Sequence, residues 1–314
     1  MTRAKEIERP TMILKIRKTL RFYHAISLQN WRSFVWPLVK PEFDRPIFVV
    51  GCSRSGTTAV YNVLGMAPGL ASMNKESHHF WNSLHPLSER NWDSHTLNVM
   101  DVKERDRLEV SRFYFRHLGE KRFVDKANQN CFRIPYLHSL FPDAYFVYVK
   151  RDGRDNINSL IHGWGKPVEF GNWSYDLPVK IEVEDGKYRQ WCFFLFPGWR
   201  SFVKSPIEEV CAQQWISANQ AVLASKKNVP QEQWIELFYE DILKSATDLF
   251  HEIYQKLGLT FNATLKRHCE TLVANPYNAF SKPRIEKWKE ENTLRINRIL
   301  PLINPTMIDM GYEI

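Results

Sequence analysis

Gly51-Cys52-Ser53-Arg54-Ser55-Gly56-Thr57-Thr58 follows directly on four apolar residues, Ile47-Phe48-Val49-Val50. The pattern is a strand running into a glycine-bounded loop that opens a helix, and the backbone N–H groups of such a loop bind oxyanions. The triphosphate-binding P-loop keeps the same glycine spacing but follows its second glycine with a lysine that reaches the β/γ-phosphates. Thr57 stands in that lysine's place, and the loop's cation is Arg54, inside the turn. The expected ligand is therefore an anion other than a magnesium-bound triphosphate.

A second segment has the same logic. Tyr145-Phe-Val-Tyr-Val-Lys-Arg151-Asp-Gly-Arg154-Asp-Asn-Ile-Asn-Ser159 reads as a strand that delivers Arg151 at its carboxyl end, followed at once by a helix. Ser159 lies about two helical turns further on. A guanidinium recognises phosphate through a fork of N–H donors, and a serine hydroxyl adds a further contact. Two anion-binding elements at two strand ends imply a ligand with two anionic groups, at the edge of a sheet where open α/β folds place their ligands.

The elements that must hold these residues follow from hydrophobic pattern. From residue 46 onward short apolar runs alternate with helical stretches, which predicts an α/β fold with a parallel sheet flanked by helices. The expected strands are Ile47–Val50, Phe123–Val124, Tyr145–Val149 and Trp234–Phe238. The expected helices cover Thr57–Gly65, Phe132–Leu140, Asp152–His162, Ile207–Lys226, Ala246–Leu257 and Ala263–Val273. Residues 163–205 break the rhythm with Trp164, Phe170, Trp173, Tyr175, Trp191, Phe193, Phe194, Phe196 and Trp199. Aromatic faces at this density either line a wall for a sugar, phenol or acyl chain or pin the insertion to the body.

The chain of 314 residues is 44% hydrophobic and carries a formal charge of +8, so it buries a sizeable core and favours anionic partners. No arginine-rich run or nucleic-acid-binding motif appears, and no nucleic-acid partner is expected. Five scattered cysteines, Cys52, Cys131, Cys192, Cys211 and Cys269, point to reduced structural thiols rather than a disulfide frame or a zinc site, and no metal is expected. No stretch is apolar enough to span a membrane, and Arg3, Lys5, Glu6, Glu8 and Arg9 do not begin a secretory signal. The expected location is cytoplasmic. Residues 1–45 form a basic segment in which Ile13–Trp36 reads as an amphipathic helix. It is either packed on the domain or resting on a membrane surface.

These segments, taken in order, resemble the PAPS-dependent sulfotransferase superfamily, in its broad bacterial and tyrosylprotein-like branches; PAPS is 3′-phosphoadenosine-5′-phosphosulfate. GCSRSGTT looks like the family's 5′-phosphosulfate loop and YVKRDGRDNINS like its 3′-phosphate motif. Phe123-Val124-Asp125-Lys126 with Phe132-Arg133-Ile134-Pro135, the FPDA run at 141–144, and Tyr239-Glu240-Asp241 ahead of Leu257-Gly258-Leu259 match further family segments. Lys287-Trp288 and Gly311-Tyr312 match the family's last ones, so the resemblance spans residues 46–314. Two departures stand out: Ser53 occupies a position where many members carry proline, and Asn128 replaces the proline of D-K-x-P.

The resemblance implies a sulfotransferase fold over residues 46–314, with PAPS as co-substrate and PAP as product. The donor would be held by Ser53, Arg54, Ser55, Gly56, Thr57, Thr58, Arg151, Ser159, Tyr239 and Lys287, with Ser281 a further candidate. Charge on the sulfuryl and leaving oxygens would be neutralised by Arg54 and Lys126. An acceptor hydroxyl or amine needs a general base, and Glu76 matches the family's glutamate, with His78 and His79 as rivals. His162 reads as structural. The aromatic insertion ranks a carbohydrate or glycolipid first as acceptor. A nucleotide-dependent kinase, or a non-catalytic binder of an anionic glycan or lipid, are the competing functions.

Overall fold

Runs that are apolar at every position, rather than at alternate ones, belong to strands covered on both faces. The computed structural model, which describes residues 12–314 with side chains from residue 16, places all four expected runs in one parallel sheet. The opening residues 1–11 of the basic N-terminal segment lie outside the described residues. In chain order the elements are α1 (Met12–Val39), β1 (Ile47–Val50), α2 (Thr57–Leu64), β2 (Ala71–Ser72), α3 (His78–Leu84) and α4 (Glu104–Leu118). There follow β3 (Phe123–Lys126), α5 (Ile134–Leu140), β4 (Tyr145–Lys150), α6 (Gly153–Trp164) and α7 (Ile207–Lys226). Last come β5 (Trp234–Phe238), α8 (Tyr239–Lys256), α9 (Ala263–Thr271) and α10 (Thr293–Asp309), with single turns between several of them.

The chain divides into two compact units. The larger, Phe43–Lys103 with Lys121–Ile314, holds the sheet in the order β2-β3-β1-β4-β5, every pairing parallel. Val49 pairs with Lys126 on one side and with Val147 on the other, so the carboxyl ends of β3, β1 and β4 come out side by side. From β1 the chain passes through α2 to β2, on the β3 side. From β4 it passes to β5 on the other side. The gap between β1 and β4 is thus the switch point at which ligands of such sheets bind, and it is flanked by Gly51 onward and Arg151 onward.

On one face Val49, Val147 and Leu237 pack with Val60 and Leu64 of α2 and with Ile253 and Tyr254 of α8, all fully or nearly buried. Tyr254 donates its hydroxyl to the Val63 carbonyl at 2.6 Å, fastening α8 to α2. The helix expected from Ala246 starts earlier, at Tyr239, but Ser245 has a non-helical backbone (φ −152°, ψ 71°), so the element bends where the sequence pattern resumes.

The aromatic insertion mostly pins. Trp164, Trp191, Phe194, Phe196 and Trp199 are buried, and the indole N–H groups of the three tryptophans go to Gln214, the Phe194 carbonyl and the Trp92 carbonyl. All five cysteines are free and buried. Among the described residues the smaller unit comprises residues 12–42 with Glu104–Glu120. There α1 meets α4 through Arg32, which donates to the His117 carbonyl at 3.0 Å, and Trp36, whose indole donates to Ser111 at 3.3 Å. No helix of the described residues is long and apolar enough to cross a membrane.

Candidate active site

The loop after β1 turns tightly because Gly56, φ +98°, accepts a conformation that side chains resist. A Cβ there would lie 2.4 Å from the Tyr239 ring, so the ring roofs the glycine and leaves no room for substitution. Arg54 also sits at positive φ, +69°, which orders the turn at some cost in strain. The carbonyls of the loop are tied from outside: Asn156 donates to the Ser53 carbonyl at 2.8 Å and Arg151 to the Arg54 carbonyl at 2.7 Å. Helix α2 begins at Thr57, where its first N–H groups lack intrahelical partners. The loop residues Ser53, Arg54, Gly56, Thr57 and Thr58 line a cavity of about 540 Å³.

At one end of this cavity Lys126, the buried last residue of β3, donates to Glu76 at 2.5 Å and to the Thr58 hydroxyl at 3.3 Å. Burial pushes the Glu76 carboxyl up, but Lys126 and then His78 outweigh it and hold it below the ordinary carboxylate value. It is a carboxylate at neutral pH, able to accept a proton. His78 lines the same cavity, and burial keeps its imidazole below its ordinary pKa, hence neutral, despite the nearby Glu76. His79 lies beside His78, with ring centroids 4.2 Å apart and planes tilted by 43°, and is exposed.

The adjacent strand residue does the adjacent job. Asp125, buried, accepts from Ser77, from the Trp81 indole at 3.0 Å and from Asn130 at 3.2 Å. Two neighbours on β3 thus hold two neighbours of the segment entering α3: Lys126 holds Glu76, and Asp125 holds Ser77.

The other end is built differently. The Arg54 side chain donates to Ser159 at 3.3 Å and to the Asn278 carbonyl at 2.7 Å, with its guanidinium 4.0 Å from the Phe280 ring centre and 5.5 Å from that of Phe170. Arg151 lies over the Tyr239 ring at 4.5 Å. Burial and the nearby Arg151 lower the Arg54 guanidinium to about 10, which leaves it charged at neutral pH. Lys287 donates to Ser281 and lies 3.6 Å from Glu291, which also accepts from Asn158 and His162. All of the donor-site candidates except Ser55 line the one cavity, together with Glu76, Lys126, His78, Ser281 and His162. The Arg151 Nε, at the cavity, and the Ser55 hydroxyl, off its lining, are buried and have no protein partner among the described residues.

Residues 46–182 match the profile of the Sulfotransferase family. The fold matches sulfotransferase STF9 from Mycobacterium avium at 14% identity, with a TM-score of 0.56 over 90% of this chain and 81% of that one. It also matches the sulfotransferase domain from the curacin biosynthetic pathway at 14% identity and a TM-score of 0.52, over 84% of this chain and 99% of that domain. Mouse sulfotransferase SULT7A1, solved in complex with PAP, matches at 16% identity and a TM-score of 0.50, over 86% and 88% of the two chains. Among curated proteins no sequence matches significantly. Residues 46–182 thus carry the family's profile, and the fold of the chain is that of the sulfotransferases it matches.

Several residues that shape this site are not marked by the sequence pattern as site residues. Asn156 orients the loop, Asp125 holds Ser77, and Asn278 and Phe280 hold Arg54. Asp155 accepts the backbone N–H groups of Glu286 at 2.6 Å and Trp288 at 3.2 Å, latching the C-terminal segment onto α6. Asn128 donates to the Ser53 hydroxyl at 3.2 Å, so the residues that replace two prolines are each other's partners.

Proposed function

We propose that this sulfotransferase moves a sulfuryl group from PAPS to an acceptor hydroxyl or amine. The observation that carries the reading is the Glu76–Lys126–Thr58 chain of contacts at the start of α2, in the same cavity as Arg151 and Ser159. PAPS would supply an activated sulfuryl group on a phosphate leaving group, with a second phosphate as an anchor. Backbone N–H groups of the loop, with Thr57 and Thr58, suit the 5′ end. Arg151 and Ser159, with Lys287 and Ser281 across the cavity, suit the 3′-phosphate, and Tyr239 suits the nucleoside between them.

Glu76 would take the acceptor's proton onto its carboxylate. Its bond to Lys126 keeps it ionised beforehand, and as the proton arrives Lys126 is released to carry its charge to the leaving oxygen. Sulfuryl transfer resembles phosphoryl transfer in needing position and charge more than covalent participation. Arg54 also adds positive charge from inside the loop, and its bond to Ser159 ties the loop to α6.

Phe170, Trp173, Phe193 and Phe280 give the cavity an apolar, aromatic side that suits the face of a sugar, so a carbohydrate or glycolipid is the acceptor we favour. Peripheral contact with a membrane is part of the same proposal. The test is whether PAP raises the melting temperature without metal while ATP with magnesium does not, followed by labelled-sulfate transfer from PAPS to extracted glycans, lipids and phenols. Stabilisation by magnesium-ATP alone would overturn the donor.

A further inference from the structure

The stretch from residue 10 to residue 41 carries Lys15, Arg17, Lys18, Arg21, Arg32 and Lys40 and not one Asp or Glu. Nearly all of it is the helix α1. At 100° per residue, Ile16, Leu20, Tyr23, Trp31, Phe34 and Leu38 fall within an arc of about 80°. Every one of them is exposed, Phe34 at 81% and Leu38 at 87%. The side chains that bind α4, Arg32 and Trp36, lie on the opposite side of the helix. Arg17 lies beside the stripe, Arg21 about 120° from its centre, and Lys18 behind it.

An apolar stripe about 33 Å long, at 1.5 Å per residue, is far more than the scattered exposed residues of an ordinary surface. Its charge decides among the surfaces that could cover it. A second copy laid along the stripe would bring two wholly basic helices together with no acid on either to offset them. The interface of an anionic bilayer offers apolar depth to the stripe and negative charge to its flanks, and long arginine side chains reach up to headgroups from a buried stem.

We propose that α1 lies in the plane of an anionic membrane surface, with Ile16, Leu20, Tyr23, Trp31, Phe34 and Leu38 immersed, Arg17 at the phosphates, and Arg21 and Lys18 on the water side within range of the surface potential. This deepens the peripheral-membrane part of the proposed function and does not depend on sulfuryl transfer. The test is flotation of the full chain with vesicles of phosphatidylcholine alone and with added phosphatidylserine, at low and high salt. The chain floats with the phosphatidylserine vesicles at low salt and leaves them at high salt. Replacing Leu20→Glu and Phe34→Glu together abolishes flotation. The triple change Arg17→Gln, Lys18→Gln, Arg21→Gln lowers affinity on the order of 100-fold. In each variant PAP still stabilises the protein, which shows that it is folded. A chain that floats with no vesicle overturns the proposal. So does light scattering that shows a dimer dispersed by Leu20→Glu with Phe34→Glu. Vesicle binding without stabilisation by PAP would instead leave the membrane proposal standing and remove the PAPS reading.

Discussion

The two ends of the cavity hold their cations in opposite ways. At the β3 end Lys126 is matched by Glu76 at 2.5 Å, and the pair is close to neutral. At the β4 end Arg54 and Arg151 lie near enough for each charge to be felt by the other, with serine, aromatic rings and carbonyl oxygens around them in place of a bonded carboxylate. A balanced pair is suited to passing a proton, since either partner can change state without stranding a charge. Unbalanced guanidiniums are suited to capturing an anion, whose arrival relieves their repulsion. The difference separates chemistry from binding within one cavity, and substitutions should fall on one side or the other.

The largest effect is expected from Glu76→Gln. Removing the general base should lower kcat by roughly 10³-fold while PAP binds with near-normal affinity by calorimetry. A comparable loss of PAP affinity would break the comparison. Arg151→Ala should do the reverse, weakening PAP by about 10- to 100-fold through lost charged hydrogen bonds, with a smaller change in kcat at saturating donor.

A pH profile sharpens the point. As the proposed base Glu76 would act only when ionised, and its pKa lies below the ordinary value, so kcat/KM should stay level as pH falls from 7 and drop only in the acid carboxylate range. Lys126→Met leaves burial, which raises the Glu76 pKa, opposed chiefly by His78, so the residual activity should lose its acid limb at higher pH than wild type. A wild-type limb lying above the carboxylate range would transfer the base to His78. The smallest effect is expected from Asp125→Asn, a positioning change. It should cut kcat by about 10-fold with PAP affinity kept, in contrast to a general loss of fold that would lower both.

The half of the site carried on strand ends was legible in the sequence, because buried parallel strands are unbroken apolar runs and their loops follow at once. Arg54, Lys126 and Arg151 could be placed from that rule together with the family resemblance. What holds them could not. Asn156, Asp155 and Asn278 act through backbone atoms far along the chain, and such contacts leave no period in the sequence. α10 escaped because Pro301 and Pro305, which ordinarily end helices, lie inside it. α4 escaped because charged residues crowd its apolar positions. The aromatic insertion stood undecided between wall and anchor, since aromatic density alone does not say which rings face inward.

The Ser53–Asn128 hydrogen bond has a further consequence. A proline stiffens a chain permanently through its ring, whereas two polar side chains stiffen it only while both are present. Either position altered alone strands a buried polar group against the loop, so a change at one is tolerated best when the other changes with it. The two positions therefore act as one unit, and exchanging both for proline should disturb the loop less than exchanging one.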